Sequence, residues 1–307
     1  MRILTNVNID WLRWRWHALV LSWVIILSGV GLLVMRGGLP LGIDFSGGAL
    51  VVVRFERPVD TQAVFAALAD IPGDKVVQQY GDPGGNEVLI RLPQAEDARE
   101  GLALEQVGLV VVRDLQAADI GKFDVLSTEI VGPVIGKDLQ RKGVYATVAS
   151  LIGIMSYIAL RFQWSFGVGA IAASIHDVFI TLSILNIAGY ELSLNVVAAL
   201  LTLVGYGVND QIVIFDRVRE NIPKHRREPI NLVINRAVNQ TLPRTAITAG
   251  TTAFAVLALY LFGGEALEPF AFTMLVGVIS STYSTVFIAS AIAVWLTRRN
   301  DGRVVGA

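Results

Sequence analysis

Apolar residues along this chain gather into long runs instead of being spread evenly. Six runs, at 17–35, 143–160, 166–188, 194–215, 245–263 and 270–296, each approach the roughly 20 residues that a bilayer core requires. Each predicts a membrane-spanning helix. The first resembles a secretory signal, but its apolar core is too long and no A-x-A site follows before Arg36. It therefore predicts an uncleaved anchor.

Between the first two runs the pattern changes to short segments. Ala49–Phe55 is β-rich, and Thr61–Leu68 reads as a helix with Asp60 as its N-cap. Lys75–Tyr80 and Glu87–Leu92 read as strands joined through the turn Gly-Asp-Pro-Gly-Gly. Leu104–Ala118 is helical by period, and Phe123–Val131 is a final strand. The order β-α-β-β-α-β is the ferredoxin-like arrangement. Gly37-Gly38-Leu39-Pro40 and Gly132-Pro133 mark its ends. The predicted fold class is a membrane all-α bundle of six transmembrane helices with an inserted α+β ferredoxin-like external domain. Near 229–241, Ile230, Val233, Ile234, Ala237 and Val238 share one face. That pattern predicts a separate amphipathic helix on the inner membrane surface, or a docking face for a partner.

Composition supports the membrane reading. Hydrophobic residues make up 53% and charged residues 17%, against about 45–50% and 25% in soluble chains. The mean hydropathy is +0.57. A net charge of −1 gives no reason to expect nucleic acid. With no cysteine there are no disulfides or thiolate metal sites, and His17, His176 and His225 are too scattered for a metal cage. No cofactor and no enzyme chemistry are expected. Gly132-Pro-Val-Ile-Gly136-Lys137-Asp138 fails as a phosphate loop, because its glycines are one residue too close and Asp138 replaces Ser/Thr.

Charge sets the orientation. Arg2, Arg13 and Arg15 precede the first run, six basic residues from Arg217 to Arg236 follow the fourth, and Arg298, Arg299 and Arg303 end the chain. The positive-inside rule then puts both termini in the cytoplasm. The expected organisation is a cytoplasmic N-terminus and first helix (1–36), a periplasmic domain (37–142), helices two to six (143–297) and a cytoplasmic tail (298–307).

Polar residues inside the runs carry the candidate chemistry. Asp210 stands in Leu194–Phe215, where an acid costs roughly 2.5–3.5 kcal/mol on insertion scales. Intramembrane acids of this kind serve proton or ion relays, or pair with a structural partner. Asn209 and Tyr206 can hydrogen-bond its carboxyl group. His176 and Asp177 lie mid-way along the third run. Adjacent residues point about 100° apart on a helix, so they are expected to face different surroundings. Arg244, after Pro243, is placed at the start of the fifth run, as a lipid anchor or as a counter-charge for Asp210. Asp216 and Glu220 are expected to pair with arginines three residues away.

Several strings then combine: Leu41-Gly42-Ile43-Asp44-Phe45-Ser46-Gly47-Gly48, Val131–Gly136, His176-Asp177-Val-Phe, Asn209-Asp210, Phe215-Asp216-Arg217-Val-Arg-Glu-Asn221 and Asn239-Gln-Thr-Leu-Pro-Arg244-Thr. Together they resemble the SecF family, accessory subunits of the bacterial Sec protein translocase, across the chain from first run to last. The resemblance implies a heterodimer with SecD and a likeness to resistance–nodulation–division transporters. It also implies proton-motive work on an unfolded polypeptide leaving the SecYEG translocon, with Asp210 and Arg244 in proton movement. Ser46 and Gly207 depart slightly from the family pattern. A proton falling through the membrane potential yields about 2.3 kcal/mol per 100 mV, enough for a few protons to swing a domain. Gly42, Gly47 and Gly48, around Asp44, are candidate hinge points, as is Gly37-Gly38; turn chemistry is the alternative. Half of a proton-driven lipid or small-molecule exporter, and a non-conducting scaffold in contact with membrane lipid, remain as alternative readings.

Overall fold

The computed structural model describes residues 7–71, 75–81, 84–92, 104–161, 163–264 and 266–299. A 3-10 turn, Trp11–Trp14, leads into α1 (Arg15–Met35). Then follow α2 (Ile43–Ser46), β1 (Gly48–Phe55), α3 (Thr61–Ala67), β2 (Val76–Tyr80), β3 (Glu87–Leu92), α4 (Leu104–Ala117) and β4 (Phe123–Val131). The remainder is helical: α5 (Pro133–Arg161), α6 (Trp164–Ala188), α7 (Leu194–Asn221), α8 (Ile230–Phe262), α9 (Glu268–Ser284) and α10 (Ser290–Arg299). Among the described residues, five stretches are long and apolar enough to cross a membrane: Trp11–Met35, Trp164–Ala188, Leu194–Asn221, Ile230–Phe262 and Glu268–Thr297. The run 143–160 lies within α5.

The chain forms two compact units. One comprises Leu41–Tyr145 with Leu192–Leu194. Its four strands form one antiparallel sheet in the order β2-β3-β1-β4. Alternation along β1 and β3 sends Val51, Val53, Phe55, Val88, Ile90 and Leu92 to one face. There they meet Val64 and Leu68 from the α3 region, and Val111 and Leu115 of α4. Asp60 caps α3 as its sequence predicts, accepting from the Gln62 amide at 3.0 Å. A bulge between Val52 and Val53 shifts the β1–β4 register and leaves Leu126 unpaired. Asp82 and Pro83 of the predicted turn lie outside the described residues.

The other unit comprises Met1–Pro40, Ala146–Glu191 and Asn195–Ala307. Its main core gathers Phe166, Ala173, Phe215, Val218, Ile234 and Ala289, among others. Helix α1 is fastened at three levels. Ile9 and Trp11 are gripped by Asn235 and Asn239: the Ile9 amide donates to Asn239 Oδ1 (3.1 Å), the Trp11 amide to Asn235 Oδ1 (2.9 Å), and both side-chain amides donate to the Ile9 carbonyl (2.9 Å). Farther along, the Tyr283 hydroxyl donates to the Ala18 carbonyl and lies 3.1 Å from Ser22 Oγ. Near the other end, Asn186 Nδ2 donates to the Gly29 carbonyl at 2.9 Å and Arg36 donates to the Asn186 carbonyl at 2.9 Å.

Three expectations change. The amphipathic segment near 229–241 is not a separate surface helix. It is the first part of α8, which runs unbroken through Pro243, and its apolar face (Ile230, Val233, Ile234, Ala237, Val238) is buried in the unit's own core. Proline is tolerated in such helices because neighbours re-satisfy the freed carbonyl. Arg244 consequently sits within a helix, not at the start of one. The last predicted run, 270–296, is interrupted by a π turn at Thr285–Ala289, where Ser290 Oγ donates to the Thr285 carbonyl at 3.0 Å. Asp216 pairs with Arg161 at 3.2 Å, while Glu220 pairs with Arg217 as the spacing predicts (2.7 Å).

Candidate functional site

A seam of polar side chains runs through the interior of the helical unit, where α6, α7, α8 and α9 contribute. Asp177 of α6 is 3% exposed and saturated with donors. Ser280 Oγ donates to its Oδ1 at 2.9 Å and Ser284 Oγ to its Oδ2 at 2.7 Å. His176 Nδ1 lies 3.3 Å from Oδ1, so the adjacent pair does share one spot. The 100° separation holds at the backbone, but the imidazole is long enough to bend back over the carboxylate.

Helix α7 meets this cluster through Gly207. A Cβ built there would lie 2.6 Å from Ser281 Oγ and 3.8 Å from Asp177 Oδ2. The missing side chain is what lets α7 close on α9 beside Asp177. One turn later come Asp210, 4% exposed, and Gln211, fully buried. Asp210 contrasts with Asp177. Its Oδ2 is buried and makes no close hydrogen bond among the described residues, with the Thr245 hydroxyl beside the carboxyl group. Arg244 and Thr245 of α8 stand within electrostatic reach of it, but Arg244 closes no ion pair with it. Arg244 and Asn209 are exposed on the surface of this unit, so Asn209 does not serve the Asp210 carboxyl as expected. Tyr206 does point inward, with a buried hydroxyl.

The seam holds further buried groups without a close hydrogen bond among the described residues: the Gln211 side-chain amide and the Ser281 hydroxyl. Buried polar atoms are normally hydrogen-bonded, and each exception costs about 1–3 kcal/mol. Several exceptions lie on neighbouring helices of this unit. Sequence reading located the acids but missed the hydroxyls of α9. The signal was present in Ser280-Ser281-Thr282-Tyr283-Ser284-Thr285, a hydroxyl-bearing run inside an apolar segment.

The two acids thus differ in kind. Asp177→Ala is expected to destabilise the protein by about 2–3 kcal/mol, since it strands Ser280 and Ser284. Asp177→Asn should cost less than half of that, because a hydroxyl can turn to accept from the amide. Thermal unfolding in detergent measures both; an unchanged midpoint for Asp177→Ala would remove the structural role.

The glycine-rich motif lies in the other unit. Gly42, Gly47 and Gly48 are all buried, and the latter two have φ of 74° and 126°. The Gly42 amide donates to the Leu192 carbonyl at 2.8 Å, and Asp44 Oδ2 accepts from the Leu194 amide at 2.8 Å. A Cβ on Gly136 would approach the Phe45 carbonyl oxygen to 3.1 Å. These contacts brace the turn. The space around Gly37 and Gly38, both at positive φ, is open. Helix α5 begins at Pro133, and Asp138 pairs with Lys142 at 2.7 Å.

Residues 111–299 match the family model described as protein export membrane protein SecD/SecF, C-terminal, and residues 35–59 match the SecD/SecF GG motif. The protein translocase subunit SecF of Calditerrivibrio nitroreducens is 42% identical over 294 residues, 94% of each chain. That of Escherichia coli O157:H7 is 36% identical, covering 95% of this chain and 89% of the relative. The crystal structure of SecDF, a translocon-associated membrane protein from Thermus thermophilus, superposes with a TM-score of 0.84 at 34% identity. The match covers 97% of this chain and 40% of that one. A second SecDF structure, in the super-membrane-facing form, gives a TM-score of 0.70.

Proposed function

The chain belongs to the SecF family of protein translocase subunits, multi-pass membrane proteins of protein export, and from that premise we propose how it works. With SecD as a heterodimeric partner it uses the proton-motive force, in the bacterial inner membrane, to promote late steps of export through SecYEG. Its cargo is the unfolded polypeptide emerging on the periplasmic side. The observation that carries this reading is Asp210: a buried carboxylate with an unpartnered oxygen, inside a seam of equally unpartnered hydroxyl and amide groups.

In this reading α5 supplies the sixth span through its 143–160 stretch, both termini are cytoplasmic, and residues 37–142 form a ferredoxin-like periplasmic domain. The sheet order β2-β3-β1-β4 with two helices on one face supports that domain assignment. Asp210 takes up and releases the proton. Arg244 supplies a counter-charge when α8 shifts or when SecD covers its exposed side, and Asn209, also exposed, belongs to the same covered face. Asp177 and His176 hold the seam's hydrogen-bond order next to Asp210. SecD residues complete the path.

The test is a reconstituted complex of this chain with SecD and SecYEG in proteoliposomes. Late export should speed up roughly 10-fold under an imposed proton gradient and fall back when a protonophore collapses it. Export that ignores the gradient in a fully assembled complex would favour the scaffold reading.

A further inference from the structure

We propose that Asp44 is a positioning residue, and that it fixes the first turn of the helix bearing Asp210 to the β-sheet unit. This rests on the relay reading of Asp210 given above. The geometry comes from the turn between α6 and α7. Residues Leu192–Leu194 belong to the compact unit built around the sheet, although α7 continues from Leu194 into the helical unit. The first amides of a helix have no partner within it and need an acceptor from elsewhere. For α7 that acceptor comes from about 150 residues earlier in the chain: Asp44 Oδ2 takes the Leu194 amide proton at 2.8 Å. A carboxylate in this place also complements the positive end of the helix dipole.

The rest of the motif holds Asp44 still. Leu41 bridges Leu192 in parallel, and the Gly42 amide donates to the Leu192 carbonyl. A side chain on Gly42 would be tight, since its Cβ would lie 3.3 Å from the Leu192 oxygen and 3.4 Å from Ser193 Cβ. Arg91 of β3 donates to the Leu41 carbonyl at 2.6 Å, which ties the turn to the sheet. On the opposite side Phe45 rests against Gly136 and Gly143 of α5. A turn braced on this many sides transmits displacement instead of absorbing it, so the motif acts as a joint and not as a hinge. A movement of α7 along or about its axis reaches the sheet through the Asp44–Leu194 bond.

Three variants separate the cap from the charge: Asp44→Ala, Asp44→Asn and Asp44→Ser. Asparagine and serine cap helices nearly as well as aspartate, and alanine does not. In the reconstituted complex with SecD and SecYEG, Asp44→Ala is expected to speed hydrogen exchange in the first turn of α7 roughly 5-fold or more. It should also lower gradient-driven export several-fold while gradient-driven proton uptake, read with a trapped pH dye, stays at the wild-type level. Asp44→Asn and Asp44→Ser should keep all three readings near wild type. The proposal is overturned if exchange in Asp44→Ala is unchanged, if proton uptake falls in step with export, or if Asp44→Asn loses export with native exchange. Absence of proton uptake by the wild-type complex would instead sink the relay reading, and the exchange data would still decide the cap.

Discussion

Asp210→Asn is expected to lower export under the gradient by about 10-fold, to the rate seen without a gradient, with normal assembly and undiminished thermal stability. The asymmetry follows from its surroundings. Asp210 is 4% exposed, and its Oδ2 accepts no close hydrogen bond among the described residues. Replacing the carboxyl by an amide therefore breaks no close hydrogen bond at Oδ2, leaves Thr245 a polar neighbour, and removes the cost of a buried acid. What disappears is the ability to take up and release a proton. Gradient-driven export and detergent melting, measured on the same preparation, separate the two effects. Should Asp210→Asn export at the wild-type rate, Asp210 would be a structural acid and the coupling would have to lie elsewhere. Asp177 provides the opposite case within the same seam, because its two serine donors make its removal a stability defect first.

The second large effect is expected from Gly169→Val. Gly169 of α6 faces the π turn that interrupts the final helix. A Cβ there would lie 2.7 Å from the Ala289 carbonyl oxygen and 3.5 Å from the Ala293 amide nitrogen. Both neighbours are backbone, so no side chain can swing aside, and α6 and the π turn must part. Overpacking of this kind costs about 1–3 kcal/mol and sometimes more. In fluorescence-detected size exclusion after heating, Gly169→Val should lose its monodisperse peak well below the wild-type temperature. Gly153→Val is the matched control, as nothing lies within 4 Å of the Cβ position there. Equal melting of the two variants would show that α6 and the π turn do not depend on this close approach.

Long-range polarity was legible in the sequence and local closure was not. The apolar runs marked the helices because length and composition alone decide whether a segment suits a bilayer. Strands β3 and β4 fell on the bounds that their alternation predicted. Pro243 misled because proline normally stops helices in water, whereas α8 continues through it. Periodicity over 230–241 gives an apolar stripe without saying whether lipid or protein covers it, and here the unit's own core does. Asp210 announced itself by its expense. The exposure of Asn209 and Arg244 and the donors on α9 depend on how helices rotate against one another, and no spacing along one helix encodes that.

The grip of Asn235 and Asn239 on Ile9 and Trp11 has a consequence for synthesis. The first of these hydrogen bonds joins residues 230 positions apart. At about 5–20 residues per second, the chain's beginning waits roughly 10–50 s for its receptor to be made. During that interval the tryptophan-rich start lacks its seat, and α1 has neither Tyr283 nor Asn239 to hold it. The contact with Ile9 and Trp11 therefore forms only once α8 has been made. A truncation before α8 should leave the amino-terminal segment open to protease, whereas the finished protein protects it.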